Sequence, residues 1–179
     1  MPQPVDKTSF SYSPRRLLTD RPKHSAGIGH VTSEWAALEE NLTAMIVYAL
    51  FSMSSESAPL AVSTMLDRIE SITIRLEVID GLLQSRISAD DYKEYVEILR
   101  PEIRKRAGER NRVAHGHWQI SDKFPQYVGI ETKDGFFGYS TKDFEDIADR
   151  IIALSDKIKD YLMRLVRTDG VGPWNSMHD

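Results

Sequence analysis

Apolar positions recur at three- and four-residue steps along most of the chain, the spacing of helices that bury one face. Trp35, Leu38, Leu42, Met45, Ile46 and Ala49 make one such stripe. Ser33 ahead of Glu34 supplies a cap and then an acid where the helix dipole favours it, so a first helix is predicted from about Ser33 to the polar SMSSESAP segment. Pro59, suited to a first helical turn, opens a second helix, in which Val62, Met65, Leu66, Ile69, Ile72, Leu76, Ile79 and Leu83 keep the period. A third starts at Ser88, with Asp91 placed for a capping box and Tyr92, Tyr95, Val96 and Leu99 on the buried face. Pro101 lacks an N–H and crowds the preceding turn, so a kink or break is expected at Arg100. Helix then resumes through Ile103 and Ala107 to about His115, where Gly116 is read as a left-handed terminator.

The period then changes. WQISDK, QYVGIET and GFFGYS are short alternating or aromatic runs, and Asp134-Gly135 is a hairpin signal. A small antiparallel hairpin or three-stranded insert is predicted at roughly 117–140. Thr141 is read as the cap of a last helix carrying Phe144, Ile147, Ile151, Leu154, Ile158, Tyr161, Leu162 and Leu165, which Asp169-Gly170 and Gly172-Pro173 stop. The expected fold is therefore all-α, a four-helix up-and-down bundle with a β-hairpin insert before its last helix. Its expected organisation is a flexible arm over 1–30, a helical domain over 31–167 and a tail over 168–179.

With 179 residues the chain is long enough for one well-formed core. It has no cysteine, which excludes a disulfide scaffold, thiolate-bound zinc, iron–sulfur chemistry and a thiol nucleophile. The opening thirty residues lack an apolar core for a secretory signal, and the run Leu42 to Met53 falls short of the roughly 20 residues that span a bilayer, so a cytoplasmic protein is expected. No cofactor is expected either. Gly27-Ile28-Gly29 lacks a preceding strand and a third glycine, and no phosphate-binding loop, Gly-x-Ser-x-Gly or His-Glu-x-x-His is present. His115-x-His117 has no third ligand in view, and His24 and His30 flank a Gly-containing stretch, so no metal is predicted.

The formal charge is −4, which argues against a protein that coats long stretches of nucleic acid. Two segments run against that balance. In residues 1–30, Lys7, Arg15, Arg16, Arg21 and Lys23 outnumber Asp6 and Asp20. Between Arg100 and Arg112, Arg100, Arg104, Lys105, Arg106, Arg110 and Arg112 face two acids, Glu102 and Glu109. Such a patch attracts phosphate over a Debye length of roughly 8–10 Å. Asn111 and His115, four residues apart, share a helix face, and Arg110 is offset by about 100°. RNA is cut without metal when its own 2′-OH attacks the adjacent phosphorus. That reaction needs an acid or base that titrates near neutrality and a fixed cation for the phosphoryl charge, roles that suit His and Arg.

The segment Arg110-Asn-Arg-Val-Ala-His-Gly116 resembles the Arg–polar–x–x–x–His signature of the HEPN superfamily, including an Ala-His-Gly ending, with a Trp35-centred first helix. The resemblance implies an endoribonuclease acting as a homodimer with a composite site, in a toxin–antitoxin or phage-defence setting. Arg110 is expected to stabilise phosphoryl charge, His115 to move protons and Asn111 to orient. Arg104, Arg106, Arg112 and His117 are candidates for substrate contacts, and an antitoxin or a nucleotidyltransferase is an expected protein partner. The alternative is a non-catalytic helical module for protein interaction or for nucleotide or RNA binding. There His115 caps its own helix and Arg110 pairs with Glu109 or another carboxylate.

Overall fold

The computed structural model describes residues 1–51, 62, 64, 65, 69 and 71–168. The expected start of a helix at Pro59, the SMSSESAP segment and the tail after Thr168 lie outside them. The chain divides into two compact units, one of residues 1–36 and 108–152, the other of residues 37–107 and 153 onward.

The first unit is built on a five-stranded antiparallel sheet of order β1-β5-β4-β3-β2. Its strands are β1 (Gln3–Pro4), β2 (Ser11–Tyr12), β3 (Gln119–Ile120), β4 (Val128–Thr132) and β5 (Gly135–Tyr139). This sheet overturns the all-α four-helix bundle. The β4–β5 hairpin falls where the alternating runs predict it, with Thr132 paired to Gly135 and Gly135 at φ 128° in the left-handed region. Both edge strands, however, come from the segment expected to be a flexible arm: Gln3 pairs with Gly138, and Tyr12 pairs with Gln119. Two-residue strands carry no alternation, so nothing in the pattern announces them.

Helix α1 (Pro14–Asp20) follows β2, and α2 (Pro22–Phe51) begins well before the expected Ser33. Gly27 and Gly29 lower the helix propensity of that stretch, but packing outweighs propensity here. A Cβ on Gly27 would stand 2.8 Å from the Cβ of Phe144, so the glycine permits the close approach. Around it the unit buries Val31, Trp35, Trp118, Ile120, Val128, Ile130, Tyr139, Phe144 and Ile147. Trp118 meets Tyr139 and Phe144 edge-on, with ring centroids 5.1 and 5.3 Å away.

The second unit is helical. It contains the later part of α2, α3 (Ile72–Arg86), α4 (Ala89–Glu94), a π turn (Tyr95–Leu99), the early part of α5 (Arg100–His115) and the later part of α6 (Thr141–Thr168). Leu42, Met45, Leu76, Ile79, Leu83, Tyr95, Leu99, Ile103, Leu154, Ile158 and Tyr161 form its core. Tyr95 donates to the Leu76 carbonyl at 3.3 Å and Tyr161 to the Asp91 carbonyl at 3.0 Å. The capping box at Ser88 forms, its hydroxyl accepting from the Asp91 N–H at 3.2 Å. The break expected at Arg100 does not occur. Pro101 withholds one N–H from the carbonyl four residues back, and the helix answers with the wider turn over Tyr95–Leu99, in which the Arg100 N–H reaches the Tyr95 carbonyl. Among the described residues no helix is long and apolar enough to cross a membrane.

Candidate functional site

The segment that carries the sequence motif sits entirely in the first unit, where α5 ends and the chain turns into β3. Two contacts of Trp118 fix that turn. Its indole N–H donates to the Val113 carbonyl at 3.0 Å, satisfying one of the helix-end acceptors, and its backbone N–H closes a three-residue turn onto the Gly116 carbonyl at 3.0 Å. Gly116 does not adopt the expected left-handed conformation, since Gly135 is the glycine with positive φ. Its role is steric. A Cβ there would overlap Cδ1 of Ile130 and lie 2.7 Å from the Arg112 carbonyl oxygen.

The turn opens a cleft of about 590 Å3 lined by Tyr12, Asn111, Arg112, His115, Gly116, His117, Gln119, Ile130, Glu131 and Thr132. Four expected site residues, Asn111, Arg112, His115 and His117, thus meet at one concavity, and all four are solvent-exposed. Arg110 does not line it. Its guanidinium is half-buried and Nη1 donates to Asn111 Oδ1 at 3.1 Å, so its visible role is to hold the Asn111 amide. Nor does Arg110 pair with Glu109, as the alternative reading expects: Arg150 lies 3.5 Å from that carboxylate. The guanidinium that faces the cleft belongs to Arg112.

Arg104 and Arg106 belong to the second unit. Arg104 is exposed there, but Arg106 is only 2% exposed and ion-paired to Glu102 at 3.0 Å, which corrects its reading as a substrate contact. A buried, paired guanidinium has no free face for a ligand. Arg100 is likewise held by Asp80 at 3.2 Å, so the basic run of the sequence is less basic in space than in line.

Sequence reasoning missed the other wall of the cleft. Tyr12 is 61% exposed, and its ring centroid lies 5.7 Å from that of His117 at an interplanar angle of 46°. Glu131 Oε1 is held by Lys7 Nζ at 2.7 Å. Thr132 Oγ1 is engaged by its own hairpin, donating to the Gly135 carbonyl at 3.1 Å and accepting from the Asp134 N–H at 3.2 Å. An isolated aromatic between serines, Ser11-Tyr12-Ser13, was the one local signal for this wall. Its pairing with Gln119 has none. Among the described residues no three His, Asp or Glu side chains converge in a way that could hold a metal ion.

The cleft is therefore lined by two histidines, one arginine and two primary-amide residues, Asn111 and Gln119, around a space open to solvent. Imidazole is the side chain best suited to give and take protons near neutrality, and guanidinium presents paired donors to a phosphate. No protein-family model, no curated protein and no solved structure matches this chain.

Proposed function

We propose that the cleft is the active site of a metal-independent endoribonuclease, in keeping with the resemblance of residues 110–116 to HEPN nucleases. The observation that carries the reading is the presence of His115, His117 and Arg112 around one cleft. One imidazole, neutral, takes the proton of a ribose 2′-OH as that oxygen attacks the adjacent phosphorus. The other, protonated, gives its proton to the departing 5′-oxygen. The products are a 2′,3′-cyclic phosphate and a free 5′-hydroxyl, and no water is consumed. Arg112 bears against the phosphoryl oxygens as charge accumulates on them, and Asn111, steadied by Arg110, donates its amide N–H groups alongside. Both proton carriers come from one chain. Pairing of two copies, which the resemblance implies, serves this reading by setting two such patches beside one strand.

The test is cleavage of a fluorescent single-stranded RNA in excess chelator. The parent protein is expected to cut, leaving a cyclic phosphate end. His115→Ala and His117→Ala are each expected to slow the reaction about 100-fold or more, the usual scale of a lost general acid or base. Rates unchanged in both variants, or cutting abolished by chelator, would overturn the mechanism. RNA retained tightly with no cleavage at any pH would instead favour the binding-only module, a reading that the absence of Arg110 from the cleft lining supports.

A further inference from the structure

The strand residues that line the cleft have chemistry that phosphate handling does not use. Cross-strand register aligns Tyr12 with Gln119 and Gln119 with Gly129, and Glu131 stands two residues beyond Gly129 on the same strand. Side chains two apart on a strand share a face, so Tyr12, Gln119 and Glu131 stand on one side of the sheet, and all three line the cleft. Tyr12 is an aromatic ring left mostly open to solvent, beside the His117 imidazole, which is tilted 46° to it with centroids 5.7 Å apart. Exposed aromatics of this kind are platforms for unpaired bases, since every base has a π-face.

Glu131 adds selectivity. A carboxylate only accepts hydrogen bonds. Lys7 occupies one oxygen and offsets the charge that would otherwise repel a nucleic acid strand. Each carboxylate oxygen has two lone-pair sites, so acceptor positions are left for a ligand. The base edge that matches a carboxylate is one with two adjacent N–H donors, and among the four RNA bases that edge is guanine's, N1–H beside the exocyclic amine. Adenine and cytosine offer an amine next to an acceptor, and uracil a single N–H between two carbonyls.

Resting on the ribonuclease reading above, we infer that this cleft takes single-stranded RNA with one unpaired guanine, stacked on Tyr12 and read at its edge by Glu131. Double-stranded RNA keeps its bases stacked inside the helix and cannot deliver one to the shelf.

The test measures binding of the full chain to four 2′-O-methyl octamers of uridine that differ in one central base. The methyl group blocks attack, so binding is read without cleavage. The guanine octamer is expected to bind about tenfold tighter than the adenine, cytosine and all-uridine octamers, and a duplex made from it is expected not to compete. Tyr12→Ala is expected to weaken binding of the guanine octamer about 5- to 100-fold, while Tyr12→Phe keeps it. Glu131→Gln is expected to abolish the preference, the guanine octamer then binding no tighter than the adenine octamer. Equal binding of all four octamers by the parent protein, a comparison that needs no variant, overturns the inference. So does parent-like affinity in a folded Tyr12→Ala. If either result comes with chelator-resistant cutting that depends on His115, the ribonuclease reading stands and the guanine shelf alone falls. A parent protein that neither binds nor cuts RNA removes both.

Discussion

His24 lies buried with Nε2 donating to the Gln126 carbonyl at 3.1 Å and its ring edge-on to Phe144. Burial pushes its pKa below the ordinary imidazole value; the Gln126 hydrogen bond opposes that shift, and the Arg21 charge adds to it. The unfolded chain therefore takes up the proton first, so this contribution to stability is whole above about pH 6.5 and is lost as pH falls below it. Urea midpoints of the parent protein are expected to fall between about pH 7 and pH 5, and His24→Gln, which keeps a donor and cannot titrate, is expected to flatten that part of the curve. Equal slopes in the two proteins would contradict this account. Gly116 makes a second claim at this scale. Because a methyl group there collides with Ile130 and approaches the Arg112 carbonyl, Gly116→Ala is expected to cost about 1–3 kcal/mol in chemical denaturation. It is also expected to reduce cutting by displacing the turn between His115 and His117. The residues of the motif wall were legible in the sequence because they lie within eight consecutive positions. Spacing along a helix does not say which of two neighbouring arginines lines a cleft, and here it is Arg112, with Arg110 bonded to Asn111 beside it.

Elements were legible in proportion to their length. In α6, every apolar position picked out by period is buried, from Phe144 to Leu165. Its cap is one residue earlier than read. Ser140 Oγ accepts from the Asp143 N–H at 3.3 Å, while Asp143 Oδ2 accepts from the Ser140 N–H at 2.9 Å and its hydroxyl at 2.7 Å. This reciprocal pair closes a capping box with an acid at its far end. Ser140→Ala is accordingly expected to destabilise by about 1 kcal/mol in thermal or urea unfolding, and Thr141→Ala by much less. Pro101 marks the backbone without ending the helix. Proline chemistry does forbid an ordinary turn, but a helix held on both sides by Tyr95, Leu99 and Ile103 widens by a residue before it breaks. The two short edge strands were illegible, since their partners lie far along the chain and backbone pairing has no residue code.

For the whole molecule, charge sets the salt dependence expected of the proposed RNA binding. A chain of formal charge −4 with one arginine lining its cleft is expected to make few phosphate contacts under the proposed function. If two phosphates are engaged, log affinity for single-stranded RNA is expected to fall against log salt with a slope of about −1.4, and Arg112→Ala to reduce the slope by about 0.7. A slope of several units would mean that a wider basic surface carries binding. Sedimentation of the purified protein is expected to give a dimer at micromolar concentration. A monomer that still cuts RNA would discard pairing and keep the chemistry of the single cleft.

Tyr12 hydrogen-bonds as strand partner to Gln119, and Gln3 to Gly138. Translation delivers the early member of each pair long before the late one, so a ribosome emits most of this chain while both border strands still lack their partners. Contacts of such long sequence separation form late in folding. Tyr12 gains its strand partner only once synthesis has passed β3, and a nascent chain therefore carries no finished cleft until most of its length has been made.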